Sequence, residues 1–192
     1  MGEPYPLVIL MDSGAQDVDI IEKARRDPAA FVEIYRRYFN PIYRYLLARV
    51  GDRGAAEELT AQVFLAALEG LSRLRAGSNL PAWLFTIARR RAADHYRQIR
   101  RESPLFEETE TSPDYDVLLQ DVIIDETNAR LAELIKVLPE HEQELLRLRF
   151  ASGLPFAEIA ILLGRTESGV KMALYRLLER LQRQMNEGDY GE

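Results

Sequence analysis

The sequence predicts an all-α protein made of two small helical modules. Apolar residues recur at intervals of three and four through most of the 192 residues, and no strand-type alternation of useful length occurs. A block rich in acid and proline separates the two helical stretches. The predicted boundaries are 1–27 for an N-terminal arm, 28–101 for a first module, 102–128 for a flexible acidic linker, 129–185 for a second module and 186–192 for a tail.

The N-terminal arm carries one apolar run, from Leu7 to Met11. The run has no basic flank and is too short to span a bilayer, so it predicts neither a signal peptide nor membrane insertion. We expect a short strand or a docked arm here, and a cytoplasmic protein. Cysteine is absent, which excludes disulfides and thiolate chemistry. His95 and His141 lack carboxylates at metal-ligand spacing, so no metal or cofactor site is predicted.

The first long helix of the first module is predicted within "DPAAFVEIYRRYFNPIYRYLLARVGD". Asp27 suits the N-cap and Pro28 the first helical position. Proline lacks an amide hydrogen, so Pro41 predicts a kink or interruption. The predicted buried stripe comprises Phe31, Ile34, Tyr35 and Tyr38.

Two further helices complete the first module. The stretch "RGAAEELTAQVFLAALEGLSRL" is predicted to end near Gly70, and "RAGSNL" is a loop by its composition. Its helical repeat comprises Ala56, Leu59, Val63, Phe64 and Leu68. The next helix opens at Pro81 and runs to the end of the module.

The helix that opens at Pro81 is strongly cationic and also aromatic. Its arginines are Arg89, Arg90, Arg91, Arg97, Arg100 and Arg101, set against Asp94, and its rings are Trp83, Phe85, His95 and Tyr96. Arginine neutralises phosphate and flat rings stack on unpaired bases, so this mixture is typical of nucleic-acid binding. A solvated basic face with Trp83 in the core is the alternative.

Charge is distributed unevenly along the chain, whose net charge is −6. Residues 29–101 hold 13 basic and 6 acidic side chains, a net charge of +7, whereas residues 102–128 hold no basic and 9 acidic ones. The positive module fits a nucleic-acid partner despite the acidic average. The acidic block is either a solvated connector or a mimic of nucleic acid.

The second module contains the pattern of a helix-turn-helix. Pro139 starts a helix that ends at Gly153, and Pro155 opens a short one with Phe156, Ile159, Ala160 and Leu163 inward. Gly164 supplies a left-handed helix end, and Thr166 caps the next helix. The buried stripe of that last helix comprises Val170, Leu174, Leu177, Leu178 and Leu181.

The second helix of such a motif enters the major groove of DNA. The residues predicted to face bases are Thr166, Glu167, Ser168, Lys171 and Met172, and those predicted to reach phosphates are Arg165, Arg176 and Arg180. A helical hairpin inside a core is the competing interpretation of the pattern.

With both halves considered, the chain resembles a bacterial sigma factor of the extracytoplasmic-function class, the minimal type with regions 2 and 4 only. The resemblance rests on "AAEELTAQVFLAAL" and "AWLFTIARRRAADHYRQIRR" in the first module, and on "EIAILLGRTESGVKMALYRLLERL" in the second. Each motif alone is weak, but their order and spacing in one short chain are specific. The sequence departs from the usual family pattern at Arg90, Ala61, Gln62 and Ala173.

The resemblance implies a subunit that binds core RNA polymerase and promoter DNA, and commonly an anti-sigma partner. It implies polymerase contacts, to the clamp helices of the largest subunit, at Glu57, Glu58, Leu59, Gln62 and Phe64, with the flap of the second-largest subunit as a further contact. Minus-10 contacts are implied at Ser78, Asn79, Trp83, Arg89, Arg90, Asp94, Tyr96 and Arg97. Tyr175 joins the minus-35 residues named above.

Two rival functions stay open on the sequence. A helix-turn-helix regulator with a sensor domain needs neither the arginine-aromatic helix nor the acidic block. A helical adaptor for proteins shows no salt-dependent DNA affinity. An enzyme is the least favoured class, because no carboxylate is paired with a nucleophile or base.

Overall fold

The structure of the protein, a computed structural model, describes residues 14–75, 77–102 and 126–189. These residues form eight α-helices and no strand, which confirms the all-α class. None of the described helices is both long and apolar enough to cross a bilayer. The apolar run at 7–11 and residues 103–125 of the acidic block lie outside the described residues.

The first module is built from four α-helices. They are α1 (Gly14–Arg26), α2 (Phe31–Val50), α3 (Arg53–Gly70) and α4 (Leu80–Glu102), with short 3-10 turns at Pro28–Ala30 and Leu71–Arg73. Asp27 caps the first 3-10 turn by accepting from the Ala29 amide at 2.9 Å, as predicted. The part of the N-terminal arm that the structure describes is therefore helical, and Ile21 and Ala24 join the core.

Helix α2 runs through Pro41 without interruption, contrary to the break that proline predicts. Tertiary packing explains the difference, because Ile34 and Tyr38 before the proline and Ile42 and Tyr45 after it are all fully buried. A helix held on both sides of a proline keeps its axis even though one backbone hydrogen bond is missing. Gly51, at φ 73°, then ends the helix in the left-handed conformation.

Helices α3 and α4 both pack on α2 and begin at side-chain caps. Asp52 Oδ1 accepts from the Ala55 amide at 2.7 Å, and Asn79 Oδ1 accepts from the Ala82 amide at 2.8 Å. Two residues of the predicted buried stripes, Tyr35 and Leu68, are instead exposed, since they lie at the rim of the α2–α3 contact.

The second module has four shorter or amphipathic helices. They are α5 (Glu126–Lys136), α6 (Glu140–Leu146), α7 (Phe156–Leu163) and α8 (Glu167–Asp189), with a π-helical turn at Arg147–Ala151. Gly164 takes φ 63°, and Thr166 Oγ1 accepts from the Gly169 amide at 3.1 Å, which confirms the predicted turn and cap. The predicted helix-turn-helix is therefore formed by α7 and α8.

The two modules are packed against each other rather than held apart. Helix α2 contacts the π-helical turn of the second module, and α4 contacts α7, so one hydrophobic core runs through both. Helix α8 packs on α5, α6 and α7 of its own module. The DNA-reading helix is thus not used to join the modules.

Candidate nucleic-acid and polymerase interfaces

An open cavity of about 700 Å³ lies between the end of α3 and the first half of α4. Four residues predicted to contact the minus-10 element line it, namely Ser78, Trp83, Arg90 and Asp94. Three further arginines, Arg73, Arg75 and Arg91, complete its charged wall. The fold therefore gathers an aromatic ring and four guanidinium groups around one space large enough for a nucleobase.

Helix packing fixes the position of Trp83 in this cavity. Its neighbours Leu84 and Phe85 are fully buried, which orients α4, while the indole itself is only half-buried. Gly70 at the end of α3 makes room for the ring, because a Cβ built there would lie 3.2 Å from Trp83 Cζ2. The ring is therefore held between two helices with part of its surface free.

Arg73 and Arg75 were not singled out as binding residues at the sequence level. They flank Leu74 in the short segment after α3, and both are exposed. The signal that can reveal them is a pair of arginines beside a Gly- and Ser-containing loop. Asp94, the single carboxylate of the cavity lining, forms an ion pair with Arg97 on the next turn of α4.

Three other predicted minus-10 residues lie away from the cavity and face the rest of the fold. Arg89 Nε pairs with Glu144 Oε1 of the second module at 2.9 Å. The Tyr96 hydroxyl donates to the carbonyl of Arg49 at the end of α2. Asn79 caps α4 and also hydrogen-bonds the Glu158 carboxylate of α7.

The residues predicted to contact polymerase on α3 divide into two groups. Glu57 and Glu58 are exposed and Gln62 is half-buried, with Gln62 Nε2 donating to Glu58 Oε1 at 3.1 Å. Leu59 and Phe64 are buried, and this corrects their expected role as direct contacts. Their side chains point into the α2–α3 core and support the surface from beneath.

The apolar part of this surface comes from residues that the sequence did not single out for it. Leu65 is 59% exposed and Leu68 is 44% exposed. Residues three and four apart share a helix face, so Leu65 continues the row of Glu58 and Gln62. Acid and exposed leucine thus lie together on α3.

The predicted minus-35 residues form a continuous exposed surface at the start of α8. Those exposed are Arg165, Thr166, Glu167, Ser168, Lys171, Met172, Tyr175 and Arg176. Lys171 Nζ lies 5.9 Å from the centre of the Tyr175 ring, and that ring contacts Phe156 of α7 at 6.4 Å between centroids. Arg180 differs, because it forms an ion pair with Glu142 of α6.

Family comparisons match both modules separately. The family model "Sigma-70 region 2" matches residues 34–102, and "Sigma-70, region 4" matches residues 128–181. The first range contains the cavity and the α3 surface, and the second contains the helix-turn-helix.

Similar proteins cover most of the chain. The ECF RNA polymerase sigma factor BldN of Streptomyces coelicolor is 35% identical over 178 residues, which is 88% of this chain and 66% of BldN. The RNA polymerase sigma factor YlaC of Bacillus subtilis is 31% identical over 161 residues, covering 80% of this chain and 90% of YlaC.

One solved structure resembles the overall fold. CnrH, in complex with the cytosolic domain of CnrY, superposes with a TM-score of 0.65 over 89% of this chain and 97% of that chain, at 19% identity. At that identity the likeness concerns the fold alone.

Proposed function

The chain belongs to the extracytoplasmic-function sigma factors of the sigma-70 family, and we propose that it binds core RNA polymerase and directs promoter-specific transcription initiation. The observation that carries this proposal is the pairing of two unlike nucleic-acid surfaces in one chain. One is the arginine-lined cavity around Trp83, and the other is the exposed start of α8. A helix-turn-helix regulator needs only the second surface.

The cavity binds a single strand of the minus-10 element in this proposal. A base that leaves the duplex stacks on Trp83, while Arg73, Arg75, Arg90 and Arg91 neutralise the neighbouring phosphates. Unstacking costs about a few kcal/mol per base, and stacking on an aromatic ring returns about 1–3 kcal/mol. Capture of the base therefore favours strand opening without any covalent step by this protein.

Helix α8 reads the minus-35 element in the major groove. Its exposed N-terminal residues reach base edges, and its basic side chains Lys171 and Arg176 stand on the same side as Arg165. Glu167, the first residue of the helix, either accepts from a cytosine amine or favours the positive helix terminus. The partial neutralisation of Arg180 by Glu142 makes it a weaker phosphate contact than Arg176.

Core polymerase contacts α3 through its exposed acid and leucine. Glu57, Glu58 and Gln62 supply polar contacts to the clamp helices of the largest subunit, and Leu65 and Leu68 supply the apolar anchors. The second module contacts the flap of the second-largest subunit. An anti-sigma protein is proposed as a further partner. We place the protein in the cytoplasm, where it acts with polymerase and without a catalytic role of its own.

The proposal is tested by run-off transcription with core polymerase on a library of genomic promoters. We expect transcripts only when the purified chain is present, and their 5′ ends define both promoter elements. A chain that binds duplex DNA without polymerase and initiates no transcript is the regulator instead. A chain that binds proteins and shows no salt-dependent DNA affinity is an adaptor.

A further inference from the structure

A buried carboxylate joins the two modules. Glu144 of α6 accepts from the Tyr45 hydroxyl at 2.9 Å and pairs with Arg49 Nη1 at 2.5 Å and Arg89 Nε at 2.9 Å, all three from the first module. Arg147 of its own module approaches at 3.6 Å. The Glu144 side chain is only 5% exposed, so these contacts replace its water shell.

The first module presents this site as a shaped receptor. Tyr45 is fully buried with its ring edge-on to Phe85, at 5.4 Å between centroids. Burial raises the pKa of Tyr45, and the adjacent Glu144 charge raises it further, so the hydroxyl keeps its proton and donates it. Two guanidinium groups and one hydroxyl converge on one carboxylate, which is the geometry that makes burial of a charge tolerable.

A second polar contact lies beside the first. Asn79 at the start of α4 hydrogen-bonds the Glu158 carboxylate of α7. Arg49 also pairs with Glu140 Oε1 at 3.1 Å, so α6 is held at two carboxylates. The contacts come from α2 and α4 on one side and from α6 and α7 on the other, where the helices also share apolar core.

The docked arrangement cannot grip both promoter elements at once. Elements centred about 25 base pairs apart are separated by about 85 Å along the duplex. A folded chain of this length has a radius of gyration of about 16 Å, so a single globule is roughly 40 Å across. The 24 residue steps between Glu102 and Glu126 reach about 80 Å when extended, so the modules can bind both elements only after separating.

We propose that the surface formed by Tyr45, Arg49 and Arg89 is a binding site for the chain's own second module, with Glu144 as the recognised group, and that this docked form is the inactive state of the free protein. The inference rests on the proposed function. Docking engages Arg89 and Asn79 but leaves the Trp83 cavity open. The free protein therefore keeps access to a single strand while it cannot span a promoter.

The covalent link between the modules strengthens docking. Two surfaces on one chain meet at an effective concentration of about millimolar, so a modest contact suffices to hold them together. Core polymerase shifts the equilibrium by binding only the separated modules. Its apparent affinity is then reduced by the fraction of open protein.

The test uses the full chain with spin labels on two introduced cysteines, Ser72→Cys and Gln182→Cys. Both positions are exposed, one in each module, and the chain has no cysteine of its own. The free protein should give one narrow distance distribution. Arg49→Met removes the main partner of Glu144 and should add a broad population at longer distance, with apparent affinity for core polymerase about tenfold tighter.

Matched variants separate docking from folding. Arg44→Met, an exposed position on the same helix, should leave both readouts unchanged. Glu144→Gln, which alters the other module, should open the chain as Arg49→Met does, and circular dichroism confirms that each variant keeps its helices. A folded Arg49→Met protein with an unchanged distance distribution overturns the inference, as does a broad distribution in the parent protein.

The same experiment distinguishes the inference from the proposed function. If the labels show docking and release, but no variant initiates transcription, the self-docking surface stands and the sigma-factor role fails. If the parent protein initiates transcription and the distances do not respond to Arg49→Met or Glu144→Gln, the role stands and the inference fails.

Discussion

Trp83 is the only tryptophan in the chain, and it lies where single-stranded DNA is proposed to bind. Its type, and the run of arginines that follows it, were visible in the sequence. Its partners Arg73 and Arg75 were not, because they come from the preceding helix end. At the scale of single residues, chemistry is written locally but the company of each side chain is not.

Replacing the indole should weaken single-strand binding. We expect Trp83→Ala to lose about 1–3 kcal/mol of binding free energy for a minus-10 single strand, because one base loses its stacking partner. Fluorescence anisotropy of a labelled oligonucleotide with the polymerase complex measures this. Trp83→Phe keeps a smaller ring and should lose less. Equal affinities for all three proteins contradict base stacking at this site.

Charge removal on α8 should have a different signature. Lys171→Ala or Arg176→Ala should weaken binding to minus-35 duplexes and, for a phosphate contact, lower the slope of log K against log salt by about one. The matched control is Gln182→Ala, also exposed on α8. A slope that stays the same in both basic variants means that neither side chain contacts phosphate.

At the scale of helices, local signals predicted starts and ends well. Asp27, Gly164 and Thr166 act as caps where their side-chain chemistry and conformational freedom require it. Pro41 shows the limit of that reasoning, since buried neighbours on both sides keep α2 continuous. The π-helical turn at Arg147–Ala151 has no such local signal and accompanies the packing of α2 against it.

The turn of the helix-turn-helix should depend on one glycine. Gly164 has φ 63° with no atom within 4 Å of a built Cβ, so Gly164→Ala is strained only through its backbone. We expect a loss of about 1 kcal/mol in the free energy of unfolding, measured by denaturant titration. Gly54→Ala, inside α3 with a Cβ contact of 3.4 Å, should be neutral or stabilising. An equal loss in both proteins excludes conformational strain as the cause.

At the scale of the whole molecule, the docked modules bring carboxylates into partly dry surroundings. Burial raises the pKa of Glu158, its hydrogen bond from Asn79 opposes this, and the nearby charge of Asp17 adds to the rise. Glu158 Oε2 is buried and accepts no hydrogen bond from the described residues. Burial likewise raises the pKa of Asp17 against the Tyr38 hydroxyl and Arg37.

The sign of the resulting pH effect follows from linkage. The docked form favours protonated Glu158, so docking weakens as pH rises from the ordinary value of 4.5 through the raised pKa, and the full penalty is present above it. Glu158→Gln should therefore increase the docked fraction at pH 7 and change little near pH 4. The spin-label distances across this range measure it.

An exposed glutamate provides the control for that experiment. Glu179→Gln lies on the solvent side of α8 and should leave the docked fraction unchanged at every pH. A Glu158→Gln protein that is less docked than the parent at pH 7 contradicts the assigned role of the charge.

The helical class, most helix ends and the chemistry of both DNA surfaces were predictable from the chain alone, because periodicity, caps and residue type act over a few neighbouring positions. The burial of Leu59 and Phe64 and the composition of the cavity required the packed helices. The contact of Tyr45 with Glu144 joins residues 99 positions apart. No local pattern encodes such a pair, since it exists only once two separate modules present complementary charge and shape to each other.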